Sequence, residues 1–269
     1  MTDFSSNLRV RSSFAILVLS LVSSPGCDRG TGPTEAVTTP ESEPADVDGI
    51  RLRDASEASG LAAIRTTSGT DPSTRILEVK GGGIGLVDFD ADGDLDLLVP
   101  NGATLDAPAN GPGARLLRNL AVETGTLRFE DATPESGLEG HRAWSFGVAA
   151  GDVDGDGLDD LVVGTLGVDR LWLNDGEGGF RDATNAWGLD DASGWTTSPG
   201  LGDLDGDGDL DLVAVEYLDF DPAEPAITST FRGIEVLAGP RGLPPRRDRW
   251  YENMGDRFER RDIEGDPRY

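Results

Sequence analysis

The stretch Ala150-Gly-Asp-Val-Asp-Gly-Asp-Gly-Leu-Asp-Asp-Leu-Val-Val163 decides the fold. Counting from Asp152, carboxylates stand at positions one, three, five and nine (Asp152, Asp154, Asp156, Asp160), with Gly157 at position six. Alternate side chains of a curling chain converge on one point, and the glycine permits the sharp turn. Oxygen donors in this number suit Ca²⁺, which takes 6–8 of them, better than Mg²⁺ with its strict octahedron. No soft donor is present, which disfavours zinc and copper. An EF-hand loop begins in the same way but needs Glu at position twelve; here that position is Val163. The chain also runs on into Leu161-Val-Val163, strand sequence rather than helix. The stretch therefore predicts a calcium loop of the β-hairpin type.

Two further copies are present, Gly85-Leu-Val-Asp-Phe-Asp-Ala-Asp-Gly-Asp-Leu-Asp-Leu-Leu-Val99 and Leu201-Gly-Asp-Leu-Asp-Gly-Asp-Gly-Asp-Leu-Asp-Leu-Val-Ala214. Their aspartates are Asp88, Asp90, Asp92 and Asp96 in one and Asp203, Asp205, Asp207 and Asp211 in the other. Position seven is Asp94, Leu158 or Asp209; since Leu has no ligating side chain, this position is expected to coordinate through its backbone carbonyl. The three copies predict about three Ca²⁺ ions, with a structural role in pinning the loops. Solvated acidic turns are the plainer alternative, but four carboxylates within nine residues repel one another and make such a loop costly to close without a cation.

The first aspartates are 64 and 51 residues apart, a period that signals a propeller or solenoid array. A second element recurs after each loop: Arg115-Leu-Leu-Arg-Asn119, Arg170-Leu-Trp-Leu-Asn174 and Arg249-Trp-Tyr-Glu-Asn253. A third follows, Leu127-Arg-Phe-Glu-Asp131, Gly179-Phe-Arg-Asp182 and Arg257-Phe-Glu-Arg260, the first two leading to Ser136-Gly-Leu138 and Trp187-Gly-Leu189. In the middle unit this makes four short strands, Ser145–Ala150, Asp160–Val163, Leu171–Leu173 and Phe180–Asp182. Four short antiparallel strands per unit, joined by Gly, Asp and Asn turns, predict an all-β fold of β-propeller blades. The repeats run over about 75–138, 143–189 and 195–263. An orphan copy, Ile50-Arg-Leu-Arg-Asp54 with Ser59-Gly-Leu61, is expected to form the last strand of an earlier blade. No amphipathic helix is expected after residue 22.

On these residues the chain resembles the FG-GAP repeats of integrin α-subunits and the related VCBS repeats of bacteria. Tyr217-Leu-Asp-Phe-Asp221 and Ala238-Gly-Pro-Arg-Gly-Leu-Pro-Pro-Arg-Arg-Asp-Arg-Trp-Tyr-Glu-Asn253 are similar to the ASPIC/UnbV branch, which includes cartilage acidic protein. The resemblance covers residues 48–269 and implies a seven-bladed ring, Ca²⁺ on loops within each blade, and an extracellular setting. Three full repeats plus a partial one make an incomplete ring, so the resemblance implies a truncated product, an open wedge, or self-association that completes the propeller. Truncation is the first expectation.

The N-terminus reads as an address. Arg9 and Arg11 precede the apolar run Phe14–Val22, and Ser23-Ser-Pro-Gly-Cys27 follows, which predicts a signal peptide over residues 1–27. The apolar run is shorter than the ~20 residues that span a bilayer. Cys27 stands where a lipoprotein carries its lipidated cysteine, so the protein is expected to be exported, with a possible lipid anchor. As the sole cysteine it excludes a disulfide within the chain. Residues 28–47 are rich in Pro, Thr and Glu and read as a disordered linker.

The 50 acidic against 23 basic residues give a formal net charge of −27, which disfavours nucleic acid and anionic lipid as partners. No nucleophile with a base stands out, and no catalytic residue is assigned. His141 reads as a loop residue without a partner, and Glu216 and Glu235 as ordinary acids. Trp144, Trp172, Trp187, Trp195 and Trp250 read as blade packing rather than sugar platforms. Arg241, Arg246, Arg247 and Arg249, the one basic cluster, read as a solvated insertion loop. The sequence thus points to a protein- or glycan-binding or scaffolding module at the cell surface, with a carbohydrate-active hydrolase or lyase as the alternative.

Overall fold

The computed structural model describes residues 52–71, 73–189, 193–224, 228–237, 239–240 and 242–261. Cys27, the apolar run before it, the 28–47 segment and Arg241 lie outside them. The chain divides into two compact units, Met1–Ala62 and Ala63–Tyr269. In the first, the described part is a short helix, α1 (Ser56–Ser59), closed by Gly60 in the left-handed region at φ 83°. The strand expected to end at Asp54 is not present over 52–54. Instead the Asp54 carboxylate accepts the Ser56 N–H at 2.9 Å and turns the chain into α1. No helix among the described residues is long and apolar enough to cross a membrane.

The second unit is all-β with short helical turns. Its first sheet is β1 (Gly85–Val87), β2 (Asp96–Val99), β3 (Arg115–Asn119) and β4 (Phe129–Asp131), antiparallel in that order. A one-turn helix, α2 (Ala121–Thr124), joins β3 to β4. The second blade is β5 (Ser145–Gly151), β6 (Asp160–Val168), β7 (Arg170–Asn174) and β8 (Phe180–Asp182). The third is β9 (Ser193–Gly202), β10 (Asp211–Glu216), β13 (Arg249–Asn253) and β14 (Phe258–Arg261). Inserted between β10 and β13 is an exposed hairpin of β11 (Thr228–Phe231) and β12 (Ile234–Leu237).

The second blade alternates its side chains between its two neighbours, as a pleated strand must. Leu98 and Leu116 of the first blade meet Leu161, Val163, Trp172 and Phe180 of the second in one core. Val162, Leu171 and Leu173, on the opposite face of the second blade, meet Leu212, Tyr251 and Phe258 of the third. The left-handed turn glycines help to lock this stacking. A Cβ on Gly137 would stand 2.4 Å from the Phe180 carbonyl oxygen. The backbone there is held close because Phe180 N–H donates to Ser136 O at 2.8 Å. Phe258 N–H repeats that bond to Trp187 O at 2.9 Å in the next blade.

The blades are not fully separate sheets. β6 outruns its partners β5 and β7, and its end pairs with the start of β9 through Leu166↔Trp195 and Gly167↔Gly194. The second and third blades thus share one curled sheet. This is an incomplete β-propeller of antiparallel repeats. Trp144, Trp172, Trp187 and Trp195 are all buried in its cores, while Trp250 is half-buried.

Candidate metal centres

Each aspartate loop joins the first two strands of its blade. Positions four and six lie in the left-handed region in all three copies: Ala91 (58°) and Gly93, Gly155 and Gly157, Gly206 and Gly208. Position six shows as glycine in every copy, but position four carries Ala in the first loop and is strained there. Two successive left-handed turns curl the chain round the position-one carboxylate. Asp152 accepts the N–H groups of Gly155, Asp156 and Gly157 at 2.8, 3.1 and 3.0 Å. Asp88 accepts those of Asp92 and Gly93, both at 3.1 Å, and Asp203 accepts that of Gly206 at 2.7 Å.

Position nine is the buried anchor. Asp96, Asp160 and Asp211 are at most 1% exposed, so each needs partners for both oxygens. One oxygen accepts the N–H of the position-two residue, Phe89, Val153 or Leu204, at 3.1, 2.8 and 2.9 Å. The other accepts the N–H of the strand-ending Asn119, Asn174 or Asn253, at 2.7, 2.8 and 2.8 Å. Burial pushes Asp96 up to about 7 and Asp160 up to about 6 against those stabilising bonds, with neighbouring carboxylates adding to the rise.

Positions one, three and nine converge. One oxygen from each of Asp88, Asp90 and Asp96, of Asp152, Asp154 and Asp160, and of Asp203, Asp205 and Asp211 lies within 4.8 Å of the others. Position five stands apart from these trios. Asp92, Asp156 and Asp207 each accept the position-seven N–H, of Asp94, Leu158 and Asp209, at 2.9–3.1 Å. In the first loop Asp92 and Asp94 form a second cluster with Glu123 of α2, a residue outside the repeat pattern and so without a sequence signal. Asp94 also accepts the Val122 N–H at 2.9 Å. Burial and the adjacent Asp207 push Asp209 up to about 6.

The donor set is all hard oxygen, which fits Ca²⁺. Oδ1 of Asp90, Oδ2 of Asp92, and Oδ1 of Asp94 and of Asp209 are buried without a hydrogen-bond partner. A divalent cation would satisfy such oxygens and offset the repulsion among the carboxylates. The surroundings grade the sites. Arg118 donates to Asp90 at 2.9 Å in the first loop. Arg181 stands 3.7 Å from Asp154 in the second. In the third, desolvation holds Asp205 above the usual carboxylate range, with the charges of Asp207, Asp211 and Glu252 adding to the rise.

Two groups depart from their sequence reading. His141 is 5% exposed rather than free in a loop. Its Nε2 lies 2.7 Å from Ser145 Oγ, and its ring meets the Trp172 ring edge-on at 4.8 Å. Burial drives its pKa down to about 4, so the imidazole is neutral. The Arg241–Arg249 stretch is not uniformly solvated either. Arg247 is exposed and Arg246 half-buried, but Arg249 is 4% exposed. Its guanidinium bridges Asp169 at 2.7 Å and Glu216 at 2.5 Å. It also donates to Tyr251 Oη and Thr196 Oγ1, each at 2.8 Å. Glu216 is therefore a buried network member; Glu235, by contrast, is exposed on β12.

A family model, the FG-GAP-like repeat, matches residues 88–163 and 152–214, spanning all three aspartate loops. Residues 88–214 are thus similar to FG-GAP-like repeats. No curated protein matches it. Among solved structures it is similar to a chain of the Photorhabdus luminescens Tc holotoxin pore, at 20% identity and a TM-score of 0.30. That likeness covers 68% of this chain and 7% of the other.

Proposed function

We propose that the protein is an exported, calcium-binding repeat module that holds a protein or glycan ligand at the cell surface and performs no turnover. The observation that carries the reading is the threefold convergence of position-one, -three and -nine carboxylates in loops of one FG-GAP-like array. In the ion-bound form those oxygens hold Ca²⁺, and the ion supplies charge neutralisation that fixes each loop to its blade. Export follows from the 1–27 segment, and lipidation of Cys27 would tether the module to a membrane. The resemblance of Tyr217–Asp221 and of residues 238–253 to the ASPIC/UnbV branch supports a place in that branch within this reading.

The outward face of the third blade supports association of blades beyond the three. Val213 and Trp250 there are half-buried, whereas their second-blade counterparts Val162 and Leu171 are fully covered. Light scattering tests this, and a monomer at all concentrations would refute self-association. Calorimetric titration with Ca²⁺ and thermal melts with and without chelator test the metal. Binding to about three sites with a raised midpoint is expected, and an absence of both would overturn the calcium reading. Cleavage of any bound glycan would overturn the non-enzymatic reading.

A further inference from the structure

The end of the second blade remote from its aspartate loop carries a cleft of about 390 Å³. It lies some seven residues along β6 from Asp160, roughly 20 Å at strand rise. Its floor is the directly paired Gly167 and Gly194, a patch of ladder without side chains. Both glycines are required. Gly167 sits at φ +126°, and a Cβ on Gly194 would meet the Glu216 carboxylate at 2.4 Å. At Gly194 the group that approaches the backbone closely is the Glu216 carboxylate, and the cleft opens beside the same ladder pair.

The walls are held in shape before any ligand arrives. On one side, the Pro108 carbonyl accepts the Trp144 N–H at 3.0 Å, and Asn110 N–H donates to Ala107 O at 3.0 Å. On the other, Asp219 N–H donates to Pro244 O at 2.8 Å, and Phe220 is braced edge-on against buried Trp195 at 5.3 Å. Arg246 stands at the rim, donating to Asp219 at 3.1 Å and lying 3.4 Å from Glu216. Its charge is thus met by two carboxylates, which leaves no surplus cation for an anionic ligand. The exposed Asp219 carboxylate keeps further lone pairs facing solvent beside an apolar wall of Leu218, Phe220 and Pro222.

We propose that this cleft binds a neutral sugar ring. The flat face of the ring lies on the glycine floor against Phe220, and adjacent hydroxyls donate to Asp219 and accept from Arg246. Compensated charge, an apolar wall and a bare floor fit a ring that presents C–H on one face and hydroxyls at its edge. The volume falls in the range of small-ligand sites. The proposal rests on the binding-module reading and supplies its ligand class and place.

The test uses the full chain with millimolar calcium on an array of neutral and acidic oligosaccharides and peptides, followed by titration of the best hit. Two variants stand at exposed positions: Asp219→Ala removes the acceptor, and Ala109→Trp fills the mouth. Each is expected to weaken a neutral oligosaccharide by about tenfold or more, with unchanged melting midpoint and calcium titration. Sugar binding that both variants retain would overturn the cleft while leaving the module reading standing. Binding only of peptides or acidic sugars would overturn the ligand class. Cleavage of a sugar whose binding both variants abolish would support the cleft and sink the non-enzymatic reading.

Discussion

Replacing Arg249 with Met tests the buried polar network most directly. The side chain lies between Asp169 and Glu216, which are 2% and 0% exposed, and it tethers β13 to the end of β6 and to β10. Met fills much of the volume but leaves the Asp169 carboxylate in the interior without its cation, and Glu216 with Arg246 alone at 3.4 Å. Removing one member of a buried ion pair costs about 3–5 kcal/mol. The loss here falls at the upper part of that range because the bonds to Tyr251 and Thr196 go as well. Remaining donors temper it: Trp195 N–H still reaches Glu216 at 2.8 Å and Thr165 N–H still reaches Asp169 at 2.9 Å. At a few degrees per kcal/mol for a unit of this size, the melting midpoint should fall by roughly 10 °C.

The sign with pH distinguishes this cause from lost packing. Burial already holds Asp169 above the usual carboxylate range, with Arg249 opposing the rise. Without Arg249 the carboxyl moves further up. A group whose folded pKa exceeds its unfolded one stabilises below the unfolded value, near 4, and loses that contribution as pH rises through the folded value. The Arg249→Met deficit should therefore be larger at pH 8 than at pH 5. Adding Asp169→Asn and Glu216→Gln should recover most of it. Denaturant melts of the four combinations at both pH values decide the matter. A single variant within about 1 kcal/mol of the parent, or a deficit that grows towards acid, would refute the reasoning.

Calcium should stabilise more at pH 7.5 than at pH 5.5, because the cation must displace protons from Asp96 and Asp160, held up to about 7 and about 6. Calorimetry in two buffers of different ionisation enthalpy should show proton release on binding, and equal heats would contradict it. Asn253→Ala removes donors to Val153 O in the neighbouring blade (2.8 Å) and to Leu210 O (3.1 Å), and should cost about 2 kcal/mol in a denaturant melt. Asn119→Ala, whose amide donates to Leu95 O within its own blade, should cost less. Ala91→Gly relieves a left-handed Ala at φ 58° and should raise stability by up to about 1 kcal/mol, read from the melting midpoint.

What the sequence made legible is what local chemistry encodes. An Asp-x-Asp-x-Asp-Gly run followed by β-branched residues specifies turn and strand within a dozen positions, and β5 to β8 fall where the middle repeat places its strands. The Arg249 network was illegible for the opposite reason. Its partners Asp169 and Glu216 lie 80 and 33 residues away, and a run of arginines among prolines and glycine carries no sign of which one turns inward. His141 was hidden likewise, since its ring packs against Trp172 of β7, 31 residues further on. The extension of β6 onto β9 pairs Gly167 with Gly194 and brings Thr196 O within 2.8 Å of where a Cβ on Gly164 would stand, and the spacing of these glycines resembles any loop. Within the aspartate loops, the separation of position five from the trio follows from a bond to the position-seven N–H, which competes with convergence at short range.

The repeat does more than copy a loop. Asn174 offers its amide to Phe89 O in the blade before, and its backbone N–H to Asp160 in its own. Asp160 in turn accepts from Val153, whose carbonyl takes the amide of Asn253, whose N–H reaches Asp211, which accepts from Leu204. The position-two residue thus faces both ways, donating to its own aspartate and accepting from the next blade. Every link but the aspartates' carboxylates is backbone or amide, so the relay is neutral except at the buried acids. Those same acids complete the oxygen trios. Order imposed at one trio therefore acts on the contact between blades, not on one turn alone. In a linear array such nearest-neighbour terms set the cooperativity of the whole. The buried position-nine aspartate, rather than the exposed carboxylates of the loop tip, is the residue through which loop chemistry and blade stacking become one property.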